Sequence, residues 1–144
     1  MYFYVVIKVV QKSKRTFDMK YCSLYKEAMA FFTLSRKLSP VNSIDHLLDC
    51  PREKELAKNI SEYISSQALS LPMHIAEAVI TADYSKKMYF QKNIEERVNQ
   101  LSKLCNKLEV LYRNRCHSAQ QLAHTAHKLE IGVKKWSLQL TNQN

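Results

Sequence analysis

The sequence predicts an all-α protein, an antiparallel up-down four-helix bundle with a short N-terminal arm or strand. Three observations lead there. The chain of 144 residues holds one glycine and three prolines, so its elements run long without interruption, whereas strands rarely exceed about ten residues. Neither Asn-Gly nor Asp-Gly occurs, which removes the strongest hairpin signals. Apolar residues make up 46% of the chain and recur three and four positions apart, the spacing of one buried helix face. The length fits a single domain.

Residues 1–18 read as an arm. Residues 2–10 are β-branched and aromatic, and Lys12, Lys14 and Arg15 follow, which suits a short strand or an irregular segment. The bundle is expected over 19–141, with 142–144 as a polar tail. Its first helix spans about 19–38, where Leu24, Ala28, Phe31, Phe32 and Ser35 recur and Pro40 stops the helix. Residues 39–50 form a mixed connector with a short turn at 44–48. The second helix begins at Cys50 and Pro51, since proline suits a first turn and Glu53 and Glu55 complement the N-terminal dipole. Leu56, Ile60, Tyr63, Ile64, Gln67 and Leu71 make its stripe, which resumes at Ile75, Ala78 and Val79. Pro72 therefore either kinks this helix or splits it in two. Asp83, Tyr84 and Ser85 make a break, with Ser85 as candidate N-cap. The third helix then runs to about Arg113 on Phe90, Ile94, Val98, Leu101, Cys105, Leu108, Leu111 and Tyr112. Ser118 is the candidate cap of the fourth, which carries Leu122, Ala126, Leu129, Val133, Trp136 and Leu140. Long helices on short loops pack as antiparallel neighbours.

The net charge is +9. A basic chain of this size fits a polyanion, either nucleic acid, an acidic protein face or an anionic membrane, although charge also serves plain solubility. Residues 1–20 hold five basic residues and one acidic, for +4; residues 21–82 hold six and seven, for −1; residues 83–144 hold eleven and five, for +6. The candidate nucleic-acid- or partner-binding residues are therefore Lys86, Lys87, Lys92, Arg97, Lys103, Lys107, Arg113, Arg115, Lys128, Lys134 and Lys135. Lys103 and Lys107 stand one turn apart on one helix face, where like charges repel slightly. A phosphate backbone accounts for them through counterion release, and a solvated helix face is the plainer alternative. No motif for reading bases appears.

Catalytic signatures are missing from the sequence: there is no Gly-rich phosphate loop, no GxSxG and no HExxH. The chain is expected not to be an enzyme and to need no cofactor or metal. Cysteines at 22, 50, 105 and 116 include no CxxC pair and read as reduced cytoplasmic thiols, two of them in the core and Cys105 among these. His117, His124 and His127 with Cys116 make a conceivable metal patch, but exposed polar side chains are the plainer reading. Glu77 beside His74 reads as a local polar contact, and Trp136 as a packed core residue. No apolar run reaches the length of a membrane span, and the apolar start lacks the basic flank and cleavage site of a signal peptide.

Two segments resemble known families. Leu71-Pro72-Met73-His74-Ile75-Ala76-Glu77-Ala78 resembles the IPxNIAEG signature of bacterial four-helix-bundle proteins encoded in intervening sequences of large-subunit rRNA genes, with His74 and Ala78 in place of its Asn and Gly. Ala82-Asp83-Tyr84-Ser85-Lys86-Lys87, the long basic helix after it, then Leu129-Glu130-Ile131-Gly132 and Trp136, resemble Avd, the accessory variability determinant of diversity-generating retroelements. The likeness covers roughly 20–141. Gly132 and Trp136 are spaced differently from the family's, the connector at 39–50 is longer, and residues 1–18 have no counterpart in it. The resemblance implies a basic, cytoplasmic bundle assembled as a homopentamer. Its partners would be a reverse transcriptase and template RNA, or RNA/DNA, in mutagenic cDNA synthesis. The first family implies instead an oligomeric scaffold.

Overall fold

A computed structural model of the chain describes residues 19–38 and 48–142. The expected arm at 1–18, the turn at 44–48 save Leu48, and the last two residues of the tail lie outside them. Four helices occupy the described residues: α1 (Met19–Lys37), α2 (Pro51–Ile80), α3 (Tyr84–Tyr112) and α4 (His117–Asn142). Each packs on its neighbour in sequence, and α1 also packs on α4, which closes a ring of four around one core. The three residues between α2 and α3 and the four between α3 and α4 leave room only for a reversal of direction, so those pairs run antiparallel.

The core is built from the stripes predicted above, except that Tyr63, placed on the α2 stripe, is exposed, and Leu56, Gln67, Phe32, Phe90 and Leu111 are only partly buried. Leu24, Ala28 and Phe31 from α1 meet Ile64, Leu71 and Ile75 from α2, Ile94, Leu101 and Leu108 from α3, and Leu122, Leu129 and Trp136 from α4, all buried. Leu38 and Leu48 are buried as well, so both described ends of the long connector turn into the core. Cys105 and Cys116 are buried and Cys50 is exposed. Burial pushes the Cys105 thiol up to about 12, which makes it an inert core sulfur rather than a nucleophile.

The helix ends differ from expectation by a residue or two. Asp83, not Ser85, is the N-cap of α3; its carboxylate accepts from the Ser85 backbone N–H at 3.0 Å. Aspartate with its extended backbone already satisfies an orphan donor there, so Ser85 falls inside the first turn. Likewise α4 begins at His117, ahead of Ser118, with the Gln120 N–H bonded to the Cys116 carbonyl, and it runs on through Thr141 to Asn142. Pro72 does not split α2, which is a single helix of 30 residues. The proline sits buried in the bundle, where tertiary packing offsets the backbone hydrogen bond it deletes.

The turn between α3 and α4 carries the only positive-φ residues among those described, Arg113 (φ 51°) and Asn114 (φ 67°). Left-handed backbone is unfavourable for a side-chain-bearing residue by roughly 1–2 kcal/mol. It is held by the Arg113 N–H to the Glu109 and Val110 carbonyls and by the Arg115 N–H to the Tyr112 carbonyl.

A carboxylate placed at the centre of this ring has no partner. Leu101 is 2% exposed, and an unpaired buried charge costs several kcal/mol, comparable with the whole stability of a domain. Leu101→Asp is expected to abolish cooperative melting in circular dichroism, while the surface change Asn106→Asp leaves it within about 0.5 kcal/mol.

Candidate nucleic-acid interface

The eleven basic residues singled out above do not gather in one place. Lys86 and Lys87 lie in the first turn of α3, which holds no acidic residue. Cations at a helix N-terminus oppose its dipole, so these two lysines do nothing for the helix that carries them. Lys92, Lys103 and Lys107 are exposed on the outer side of α3 with exposed Glu96 on the same helix. Arg113 pairs with Glu53 at 3.3 Å and Arg115 with Asp49 at 3.8 Å, both at the start of α2. These are solvated pairs, worth about 0–1 kcal/mol each. Lys128, Lys134 and Lys135 are exposed on α4.

Arg97 stands apart. It is the one candidate turned into the bundle, half-buried between α3 and α2. Its Nη2 donates to the Gln67 carbonyl at 3.0 Å and to Ser70 Oγ at 2.9 Å, and its Nη1 meets His74 Nδ1. Gln67 and Ser70 lie on the turn of α2 before Pro72, and Arg97 reaches both from the facing helix. Burial lowers the Arg97 pKa, yet a guanidinium remains charged at any ordinary pH. His74 therefore serves as a neutral acceptor. Burial first and Arg97 second push its pKa down, with Glu77 pulling it up. The direct partner of His74 is thus Arg97 across the helix interface, and Glu77 acts only through its field. The spacing of His74 and Glu77 on α2 carries no sign of a residue from α3.

Between α1 and α4 the surface opens into a groove of about 470 Å³ lined by Ser23, Leu24, Glu27, Lys128, Gly132 and Lys135 among others. Gly132 lets the two helices approach closely: a Cβ built there would lie 3.1 Å from Glu27 Oε2 and 3.2 Å from Leu24 Cδ1. Burial raises the Glu27 carboxyl above its usual range, while Lys128 and then Lys135 draw it down. On the opposite side of α4, Gln91 and Ser137 both hydrogen-bond Glu95 at 2.8 Å, and Gln91 also donates to Ser137, which ties α3 to α4. His127 pairs with Glu130 at 3.7 Å.

A second depression, of about 520 Å³, runs between α2 and α3, lined by Asn59, Ile60, Tyr63, Gln100, Lys103 and Leu104. Several large apolar side chains stand in solvent, among them Val110 (73%), Tyr89 (65%), Leu138 (63%) and Tyr63 (45%). Neither feature had a clear signal in the sequence, because Tyr63 lies on the apolar stripe of α2 and reads there as core. Among the described residues no three His, Cys, Asp or Glu side chains converge as a metal ion would require. No helix there is long and apolar enough to cross a membrane. Comparison of the chain with family models, with curated proteins and with solved structures gives no match.

Two outcomes are expected from the Arg97 cluster. Removing its donors with Arg97→Met leaves partly buried acceptors unpaired and is expected to lower unfolding free energy by about 1–3 kcal/mol in urea titration. The second concerns pH. The His74 pKa is lowered in the folded protein, so the unfolded chain binds the proton more readily. The stability this contributes is complete above the ordinary imidazole range and is lost as pH falls through it toward the lowered folded value. His74→Gln keeps an acceptor without titrating, and its melting temperature is expected to fall less than that of the parent between pH 7.5 and pH 5.5 (about one unit either side of the ordinary value).

Proposed function

We propose that this chain is an accessory nucleic-acid- and protein-binding factor of the accessory-variability-determinant type, one that binds a reverse transcriptase and its template RNA during mutagenic cDNA synthesis. The observation that carries the nucleic-acid part is the imbalance of surface charge. Lys92, Lys103, Lys107, Lys128, Lys134 and Lys135 are all exposed, and none has a carboxylate within ion-pair distance among the described residues. Surface lysines without an ion-pair partner add little to fold stability. A polyanion uses them by releasing its condensed counterions.

The protein-binding part draws on the exposed apolar side chains Tyr63, Tyr89, Val110 and Leu138, since apolar groups rimmed by polar ones suit a protein interface. The same side chains favour a second reading, an oligomeric scaffold of the rRNA intervening-sequence type. In that case the apolar surface joins copies of the chain and the lysines only keep the particle soluble. The identity of both partners, and the homopentamer, rest on the resemblance of Ala82–Lys87 and Leu129–Trp136 in sequence.

Binding of a fluorescein-labelled RNA stem-loop, followed by anisotropy, separates the two readings. An accessory factor neutralising about six phosphates loses roughly a thousandfold in affinity between about 50 and 200 mM salt. An RNA affinity that is absent or indifferent to salt leaves the scaffold. Native mass spectrometry gives the copy number, with five copies expected.

A further inference from the structure

The ring closure brings together two helices whose solvent faces carry no exposed acid. Every exposed carboxylate among the described residues, namely Asp49, Glu55, Glu62, Glu77, Asp83 and Glu96, belongs to α2, to α3 or to the residues just before them. On α1 and α4 the only described acids are Glu27 and Glu130, both partly buried, one beside Lys128 and Lys135 and the other paired with His127. The exposed charges on these two helices are Lys26, Arg36, Lys37, Lys128, Lys134 and Lys135, all positive. Of these, Arg36 lies over the Phe32 ring, 5.7 Å from its centre.

We infer that the nucleic-acid contact surface is the α1–α4 face, with the phosphate backbone lying along the groove over Gly132 between Lys26 and the pair Lys128 and Lys135. This rests on the nucleic-acid reading above and narrows it to one side of the molecule. Lys128 and Lys135 are seven residues apart, two helical turns or about 10 Å along α4, on the rim of a groove of about 470 Å³. Their ammonium groups, with Lys26 exposed on α1, present exposed positive charge to a strand passing along the seam, where the one carboxylate, Glu27, is partly buried. The α2–α3 side instead exposes Asp49, Glu55, Glu62, Glu77, Asp83 and Glu96 together with its lysines, so a phosphate chain there meets charges of both signs. A surface of one sign raises local polyanion concentration far more than a mixed one with the same number of lysines.

The test is a comparison of two charge reversals of equal size in the full chain, Lys26→Glu/Lys128→Glu/Lys135→Glu and Lys92→Glu/Lys103→Glu/Lys107→Glu, each checked for parental helicity. Binding of the labelled RNA stem-loop and of vesicles containing phosphatidylserine is measured for both and for the parent. The first triple is expected to weaken RNA binding more than tenfold and to reduce the log–log salt slope by about two to three, one unit per lost phosphate contact. The second is expected to weaken it less than threefold. Glu27→Gln removes one negative charge from the groove and is expected to tighten RNA binding, an independent reading should the first triple fold poorly. Equal losses in both triples, or a larger loss in the second, overturn the inference and leave the nucleic-acid reading standing. A parent that binds the vesicles and not the RNA assigns the face to a membrane surface and overturns both, as does a parent that binds neither.

Discussion

Everything in this bundle depends on α1 closing against α4. Each helix carries a single apolar stripe, too wide to be covered by one neighbour, so four helices in an open row would leave both end stripes partly in water. The contact of the first helix with the last makes the row a ring, and residues such as Phe31, Leu71, Leu101 and Leu129 become almost completely buried. Closure needs close approach. The single glycine of the chain stands at that seam, where added side-chain carbon would press on Glu27 and Leu24. A glycine within a helix costs up to about 1 kcal/mol in propensity relative to alanine, so the residue there answers to the contact between helices and not to the helix itself.

The opposite interface, α2 against α3, is held by another kind of interaction. Pro72 removes a backbone donor in the middle of a helix of 30 residues, a disruption worth several kcal/mol in an isolated helix. The bundle answers it with apolar packing on both sides, Leu71 and Ile75 being fully buried, and near the same turn the Arg97 guanidinium reaches across to the Gln67 carbonyl. One consequence is that a residue counted by charge as surface becomes an internal clamp. Another is that a histidine is held neutral beside a permanent cation.

Electrostatics divide the molecule along the same lines. The α2–α3 side mixes charges, with exposed glutamates among the lysines and with Arg113 and Arg115 answered by Glu53 and Asp49. The α1–α4 side is positive wherever it is exposed. The large apolar side chains in solvent are distributed differently, with Tyr63 on α2, Tyr89 and Val110 on α3, and Leu138 on α4. The basic side is therefore not free of exposed apolar groups, Leu138 standing on α4 with Lys134 and Lys135.

The helices were legible in the sequence because their signals are local. Apolar spacing on Ile94, Val98, Leu101 and Cys105 marks a buried face whatever it packs against. The ends were legible to within a residue or two, since Asp83 and Ser85 compete for one cap and only backbone geometry selects between them. The burial of Cys105 and Trp136 also followed from their stripes. The distribution of charge was not legible. Counting along the chain places the excess in residues 83–144 and assigns −1 to 21–82, because a linear count groups residues that are consecutive. Folding groups those that are adjacent: it packs α1, with Lys26 and Lys37 exposed on it, against α4, leaves the exposed glutamates on α2 and α3, and turns Arg97 inward. The period of a helix is a property of neighbouring residues, and so the sequence alone determined four apolar stripes. Which stripes meet, and so which charges share a face, depends on proximity between residues about a hundred positions apart, such as Gly132 with Leu24 and Glu27, and this comes into being only when the ring closes.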